Sequence, residues 1–442
     1  MLSANSGISN IYNPIGISGK LGGTKAELGV LEFIEELTQL KPRKAFHQMN
    51  YTTIEMDGKK TSNPEAVANA VNATLSSIKN FACQAEKIPV VLSVAGVLNP
   101  IKDSFKPANI RMEGYSEGDL INLDEFIKKR AEELGLDQER FQTILLNDGP
   151  MNLIADLEEK RDSLSLQPGD FIYHAVLGSG FGGAGSVLGS VNNKAELVSY
   201  KADEPGHDEM PYKDHFHAIE GESKSKFKSS YSSKTGIVEH YAAGGSSEEH
   251  GLMGTLKNIR ELVENDEKKE TLYEAISKLI SFLKERSLTM YLFNRDDLEK
   301  SKLIKSEKLA SNEEIFELAR EYPGENGDLF AKVLTLFQAY RTGHALAYAV
   351  NKQEVNKPIK MLAINGGLQK GIESIPEAKK IQFDTLNYEL KNKYNHPGIF
   401  EDDPARLVFV EHENDGATDL LKKIIRDPDS VDRVLELTNT AD

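Results

Sequence analysis

The chain has 442 residues, 39% hydrophobic and 28% charged, which is too long for one compact core, fits two or three domains and excludes disorder as the default. A net charge of −16 argues against nucleic acid, because a phosphate backbone repels an acidic surface. A lone cysteine, Cys83, excludes an intrachain disulfide and a cysteine-rich metal site, and no apolar run reaches the ~18 residues of a membrane span.

Residues 11–18 read as a short extended run that ends in a glycine turn at 19–23. A second apolar run at 28–33 follows directly, so the pair reads as a hairpin. Asn63 and Pro64 open a helix that carries Val67, Val71, Leu75 and Ile78 on one apolar face. Residues 89–94 read as a buried strand closed by Ala95 and Gly96, followed by a helix over 123–133 and a strand over 143–146. A second block opens with a strand over 171–177, a glycine-dense turn and another apolar run at 186–189. Residues 221–234, rich in Ser and Lys, read as a loop, and 255–310, charged and helical in pattern, as an insertion. After Asp328 a long helix carries Phe330, Leu334, Phe337 and Leu346. A strand over 361–364, a Gly-Gly turn, a strand over 407–410 and a helix over 417–425 complete the block. Alternating strands and helices imply an α/β protein, and both blocks share one design: extended run, glycine turn, extended run.

The chemistry-bearing residues sit at the ends of these runs. Glycines let backbone N–H groups converge on an anion, and Thr or Ser adds a hydroxyl donor; Gly19 to Lys25 and Gly178 to Gly185 have this character. Neither is a P-loop, and each taken alone is equally a hairpin turn. Asn147 and Asp148 end an apolar strand directly before a helix. There Asp148 can accept a proton from an attacking hydroxyl, or can simply cap the helix. Glu204, His207 and Glu239 supply acceptors suited to a polyhydroxy substrate, or belong to a surface loop. Asn365-Gly366-Gly367 can admit the flat face of a nucleobase or merely turn the chain.

In this order the elements resemble the sugar kinases of the hexokinase superfamily, specifically the glucokinases and the ROK family, discontinuously from about residue 15 to about residue 420. That family's first phosphate motif, D-x-G-G-T-[KN], is similar to Lys20-Leu21-Gly22-Gly23-Thr24-Lys25, with Lys20 in place of Asp. Its second, G-T-G-x-G-G, is similar to the stretch holding Gly178, Ser179, Gly180, Gly182 and Gly183, with Ser179 in place of Thr. The catalytic Asn-Asp pair looks like Asn147-Asp148, and the sugar-binding E-x-G-H motif looks like Glu204 and His207. Glu239 resembles the last sugar-binding glutamate, and Asn109 the asparagine of the sugar loop. Asn365-Gly366-Gly367 matches the adenosine motif, and Asp415-Gly416-Ala417 resembles the closing helix start.

The resemblance implies a two-domain actin-like ATPase (ribonuclease H-like) fold of α/β class with an interdomain cleft. The small domain is expected at 1–150 and the large one at 151–442, with a helical insertion near 255–310 and the last helix returning to the small domain. It further implies an ATP-dependent hexose kinase, most of all a glucokinase, that transfers the γ-phosphoryl group to the sugar 6-hydroxyl with Asp148 as general base. Asn109, Asn147, Glu204, His207 and Glu239 would hold the sugar. Lys20, Gly22, Gly23, Thr24, Lys25 and the second glycine turn would hold phosphates, and Gly366 and Gly367 the adenosine. ATP, Mg2+ and a hexose are therefore the expected ligands, with no nucleic acid or membrane partner, a homodimer left open and a cytoplasmic location.

Two departures from the family pattern stand out. Residues 208–235 hold no cysteine, so the structural zinc cluster of many ROK proteins is not expected, and His207, His215 and His217 read as loop histidines. Lys20 reverses the charge at the position where the family's Asp helps hold hydrated magnesium. A lysine there can pair with phosphates directly, or it can mark a sugar-binding regulator with little turnover. Kinases for fructose, mannose or an N-acetylhexosamine are the other alternative.

Overall fold

The structure is a computed structural model that describes residues 15–22, 25–37, 42–55, 64–82, 87–94, 96–99, 103–107, 110–116, 118–177, 181–203, 205–208, 242, 251–285, 295–410, 416–426, 434 and 438–439. The chain divides into two compact units, Met1–Glu158 with His412–Thr438, and Glu159–Glu411 with Asn439–Asp442.

The first unit is built on strands β1 (Ile15–Leu21), β2 (Lys25–Leu37), β3 (Pro42–Glu55) and β4 (Ile88–Val94). A small three-stranded sheet of β5 (Gly96–Leu98), β6 (Ser104–Pro107) and β7 (Ile121–Asn122) precedes β8 (Phe141–Asn147). The main sheet has the order β3-β2-β1-β4-β8; β1 to β3 form an antiparallel meander, and β1, β4 and β8 run parallel. The runs VVLSV in β4 and ILL in β8 are buried throughout, as strands covered on both faces must be. Helix α1 (Pro64–Ala82) packs on β2 and β3, burying Val67, Val71, Leu75 and Ile78 as the periodicity requires. Burial of each stabilises by about 1.5–3 kcal/mol. Asn122 caps α2 (Leu123–Glu133) by accepting from the Glu125 amide, and α3 (Asp148–Lys160) follows β8 without a break. The helix Gly416–Arg426 packs on β1 and β4, far from them in sequence but within the same unit.

The second unit repeats that plan with strands β9 (Phe171–Leu177), β10 (Phe181–Val187), the small hairpin β11 (Gly189–Val191) and β12 (Lys194–Glu196), then β13 (Ser199–Asp203), β14 (Ile359–Asn365) and β15 (Leu407–Phe409). Its sheet runs β15-β14-β9-β10-β13, with the two-residue strand β16 (Thr438–Asn439) beyond β13. Strands β9, β10 and β13 are an antiparallel meander, and β9, β14 and β15 run parallel. Each unit thus has a three-stranded meander continued by two parallel strands, which is the physical basis of the shared design visible in the sequence. Helices α4 (Gly251–Glu264), α5 (Asp266–Glu285) and α6 (Asn312–Glu321) precede α7 (Leu329–Lys352), and α8 (Gly367–Glu373) and α9 (Pro376–Asn392) follow β14. Asp328 caps α7 by accepting from the Ala331 amide. Helix α7 is buried on nearly every side, so its polar side chains need internal partners. Gln338 donates to the Ala242 carbonyl, Arg341 to Thr255 Oγ1, and Gln382 of α9 to Thr342 Oγ1.

Both glycine turns are shorter than the sequence suggests. Gly19 and Lys20 lie inside β1, paired with Leu28 and Glu27, and not in the turn. Gly182 and Gly183 likewise lie inside β10, paired with Val176 and Ala175. In each case the residue reads as turn-forming, yet the strand ladder continues through it because the neighbouring strand comes close. A Cβ on Gly183 would lie 2.4 Å from Tyr173 Oη and 2.5 Å from the His174 carbonyl, so packing alone accounts for that glycine.

A pH dependence arises at the start of β14. His396 is buried, tilts against Phe171, and its Nδ1 accepts from the Gly398 amide. Burial holds its imidazole below the ordinary 6.5, opposed in part by the Val355 carbonyl. The folded chain therefore binds fewer protons here than the unfolded chain below pH ~6.5, so this contribution is complete above that pH and drains away as pH falls. Urea midpoints measured at pH 7.5 and 5.5 should converge in His396→Asn relative to wild type. An equal pH difference in both proteins would show that His396 is not the titrating group.

Candidate functional site

In the first unit the parallel register aligns the strand ends. Leu21, Val94 and Asn147 form one row across β1, β4 and β8, and Lys20, Ser93 and Leu146 form the row before it. Gly22 and Asp148 therefore emerge at the same carboxyl edge, two strand spacings or roughly 10 Å apart. The carboxyl ends of parallel strands are where α/β sheets bind ligands. Lys20 shares its strand face with Gly16 and Ser18, because side chains alternate along a strand. Ser18 Oγ bonds Thr418 Oγ1 at 2.8 Å, and Leu421 crowds Gly16. That face is thus the one the Gly416–Arg426 helix covers, with Lys20 half-buried at its end.

Asp148 is half-buried and opens α3, and its Oδ1 accepts from the amide of Gly149, 2.9 Å away. A capping carboxylate would instead take an amide two or three residues on, so Asp148 does not cap α3 in that way, though an acid in the first turn still favours the helix dipole. Asn147 is half-buried beside it at the end of β8.

In the second unit Asn365 of β14 lies opposite Val176 of β9. The turn after β14 and the chain leaving β9 at Leu177 therefore occupy one edge of that sheet. Gly366 has φ of +110°, a conformation that excludes most side chains. A Cβ on Gly367 would meet nothing within 4 Å, so the first turn of α8 faces open space. Oδ1 of Asn365 is buried there without a hydrogen-bond partner among the described residues, and such an acceptor at a strand end suits a ligand donor. The sequence places Asn365 in the same motif as the two glycines; that its side-chain oxygen is left unpaired is visible only in the structure.

Pro205 and Gly206 are buried in a short 3-10 turn, Pro205–His207, that packs against β10 and α7. The backbones of Lys25 and His207 are placed, at the start of β2 and in this turn respectively. Gly23, Thr24, Asn109, Gly178, Ser179, Gly180, Glu204 and Glu239 lie outside the described residues. Among the described residues no three His, Cys, Asp or Glu side chains are grouped to hold a metal ion, and no helix is long and apolar enough to cross a membrane. The open turn at Gly367 and the orphaned Asn365 oxygen fit a nucleotide. With an ammonium at position 20, the described residues do not assemble a magnesium site.

No protein-family model and no curated protein matches the sequence. Solved structures do match. A glucokinase from Balamuthia mandrillaris in complex with glucose is 12% identical, covers 95% of this chain and 95% of its own, and has a TM-score of 0.50. A ROK family transcriptional regulator, homolog of the E. coli MLC protein, is 14% identical over 96% of this chain and 81% of its own, with a TM-score of 0.50. A ROK family glucokinase from Streptomyces griseus, in complex with glucose and AMPPNP, is 16% identical over 92% and 99%, with a TM-score of 0.48. The chain shares the α/β fold, of actin-like ATPase type, with the Balamuthia glucokinase and the ROK regulator.

Proposed function

We propose that this chain is an ATP-dependent hexose kinase of the glucokinase and ROK type, with glucose as the leading acceptor. The observation that carries the reading is the row Leu21, Val94, Asn147, which sets Gly22 and Asp148 on one carboxyl edge. The Asp148 carboxylate takes the proton of the sugar 6-hydroxyl, whose oxygen attacks the γ-phosphorus as the bond to ADP breaks. The products are hexose 6-phosphate, ADP and a proton. Asn109, Asn147, Glu204, His207 and Glu239 hold the sugar, and its hydroxyls suit their acceptor-rich chemistry. Thr24, Lys25, Gly22, Gly23 and the turn at Gly178, Ser179 and Gly180 hold the phosphates. The base rests on the open side of Gly366 and Gly367. Magnesium would act by neutralising phosphate charge, and Lys20 supplies a covalently attached charge where the family uses a carboxylate. The glucose-bound amoebal glucokinase of the same fold supports the acceptor class.

A second reading, a sugar-binding regulator with little turnover, is favoured by the same Lys20 and by the regulator that shares the fold. A coupled ADP-release assay across glucose, mannose, fructose and N-acetylglucosamine, with and without magnesium, separates the two. The kinase reading expects ADP release with at least one hexose, and a steeper magnesium dependence in Lys20→Asp than in wild type. Hexose binding without ADP release in any condition would establish the regulator instead. Turnover and magnesium dependence both unchanged in Lys20→Asp would show that Lys20 points away from the phosphates.

A further inference from the structure

The carboxyl end of α7 is tied to the segment that holds Glu204 and His207. Lys352, the last residue of α7, places Nζ 2.8 Å from Asp203 Oδ1 and 2.6 Å from Asp208 Oδ2. Asp203 ends β13, and Asp208 follows the Pro205–His207 turn directly. The Pro205–His207 turn thus lies between two carboxylates that meet on one ammonium. Two further bonds fix the clamp. Tyr348, one turn back on α7, donates its hydroxyl to the same Asp208 oxygen at 3.2 Å, and Lys201 of β13 donates Nζ to the Lys352 carbonyl at 2.7 Å.

The clamp is not an ordinary surface pair. The Asp203 side chain is only 12% exposed, where solvent screening is weak and each charge-assisted hydrogen bond counts for more. Burial by itself would lower the Lys352 ammonium, but its bonds to Asp203 and Asp208 outweigh burial and hold it above the usual lysine range. Fixing a short turn at both ends lowers its backbone freedom.

We propose that Lys352 is a positioning residue for sugar recognition. By pinning Asp203 and Asp208 it holds the Pro205–His207 turn, the described part of the segment read as sugar-binding, in one place. The inference rests on the reading of this segment as sugar-binding. Glucose, mannose and fructose are each titrated calorimetrically into full-length wild type, Lys352→Met, Lys352→Arg and Tyr348→Phe, and melting temperatures are recorded alongside. Lys352→Met should weaken binding of the favoured hexose about tenfold, the effect of losing a charge-assisted bond. Lys352→Arg, which can bridge both carboxylates, should recover most of it, and ATP affinity should stay at the wild-type value in both. In steady state Lys352→Met should raise the hexose KM and leave kcat and the ATP KM in place, with Lys352→Arg close to wild type, a split that general destabilisation would not produce. Unchanged hexose affinity in Lys352→Met overturns the proposal. If that variant does not fold, Tyr348→Phe decides: it keeps the packing, removes one donor from Asp208, and unchanged affinity there overturns the proposal equally. A wild-type chain that binds none of the three sugars overturns the sugar-binding reading itself and this inference with it. The two failures are distinct, since one shows in the wild type and the other only in the variants.

Discussion

Asp148→Asn should lower hexose phosphorylation about 10²–10⁴-fold, the usual cost of removing a general base, while glucose affinity stays near that of wild type. Asparagine has the same shape and retains an oxygen that can accept from the Gly149 amide, as Asp148 Oδ1 does at 2.9 Å. The turn from β8 into α3 therefore survives, and only the capacity to take a proton is lost. A purely structural Asp148 predicts the opposite outcome, because Asn and Asp are nearly equivalent at a helix start. Single-turnover ADP formation with saturating glucose measures the chemical step apart from product release, and calorimetry on the same preparation measures sugar binding. Near-normal turnover in Asp148→Asn would remove the residue from the chemistry and leave the carboxyl edge of β8 without a base.

What the sequence disclosed and what it concealed follow from the range of the interactions involved. Helix α2 and strand β9 are legible to the residue, because Asn122 ahead of an amphipathic run and a continuous apolar run before a glycine cluster are local signals. Strand β3 escaped notice. Its polar residues Lys44, His47, Gln48 and Asn50 give no clean alternation, and it exists as a strand because it pairs with β2 along its length. Glycines inside β1 and β10 imitate turns for the reason Gly183 shows: the missing side chain makes room for a neighbouring strand and does not bend the chain. At the site, a polar pair closing an apolar strand was enough to mark Asn147 and Asp148. Their alignment with Leu21 depends on the register of three strands separated by long connections, which no local pattern encodes. The Lys352 clamp was equally out of reach, since its partners lie 149 and 144 residues away in sequence.

Gly416→Ala should destabilise the chain by about 3 kcal/mol or more, at the upper end of overpacking costs. Gly416 opens the helix that covers β1 and β4, and a Cβ there would lie 1.9 Å from the Met151 carbonyl oxygen and 2.5 Å from its carbon. Both obstacles are backbone of α3, so no side-chain rotation relieves them. Either the helix lifts from the sheet, breaking the Ser18–Thr418 hydroxyl pair, or α3 shifts and carries Asp148 at its start with it. Turnover should therefore fall in any Gly416→Ala molecule that still folds. Gly367→Ala is the matched control, because a Cβ at that position meets nothing within 4 Å. Alanine at the start of a helix should hold or raise stability by about 0.4–1 kcal/mol through the unfolded chain, yet at the proposed adenosine site its methyl would weaken nucleotide binding. Urea midpoints and nucleotide titrations on the two variants should show opposite patterns: stability lost at 416, affinity lost at 367. A Gly416→Ala chain that unfolds at the wild-type midpoint would mean that the helix and α3 do not approach so closely. Full nucleotide affinity in Gly367→Ala would move the adenosine away from the turn after β14.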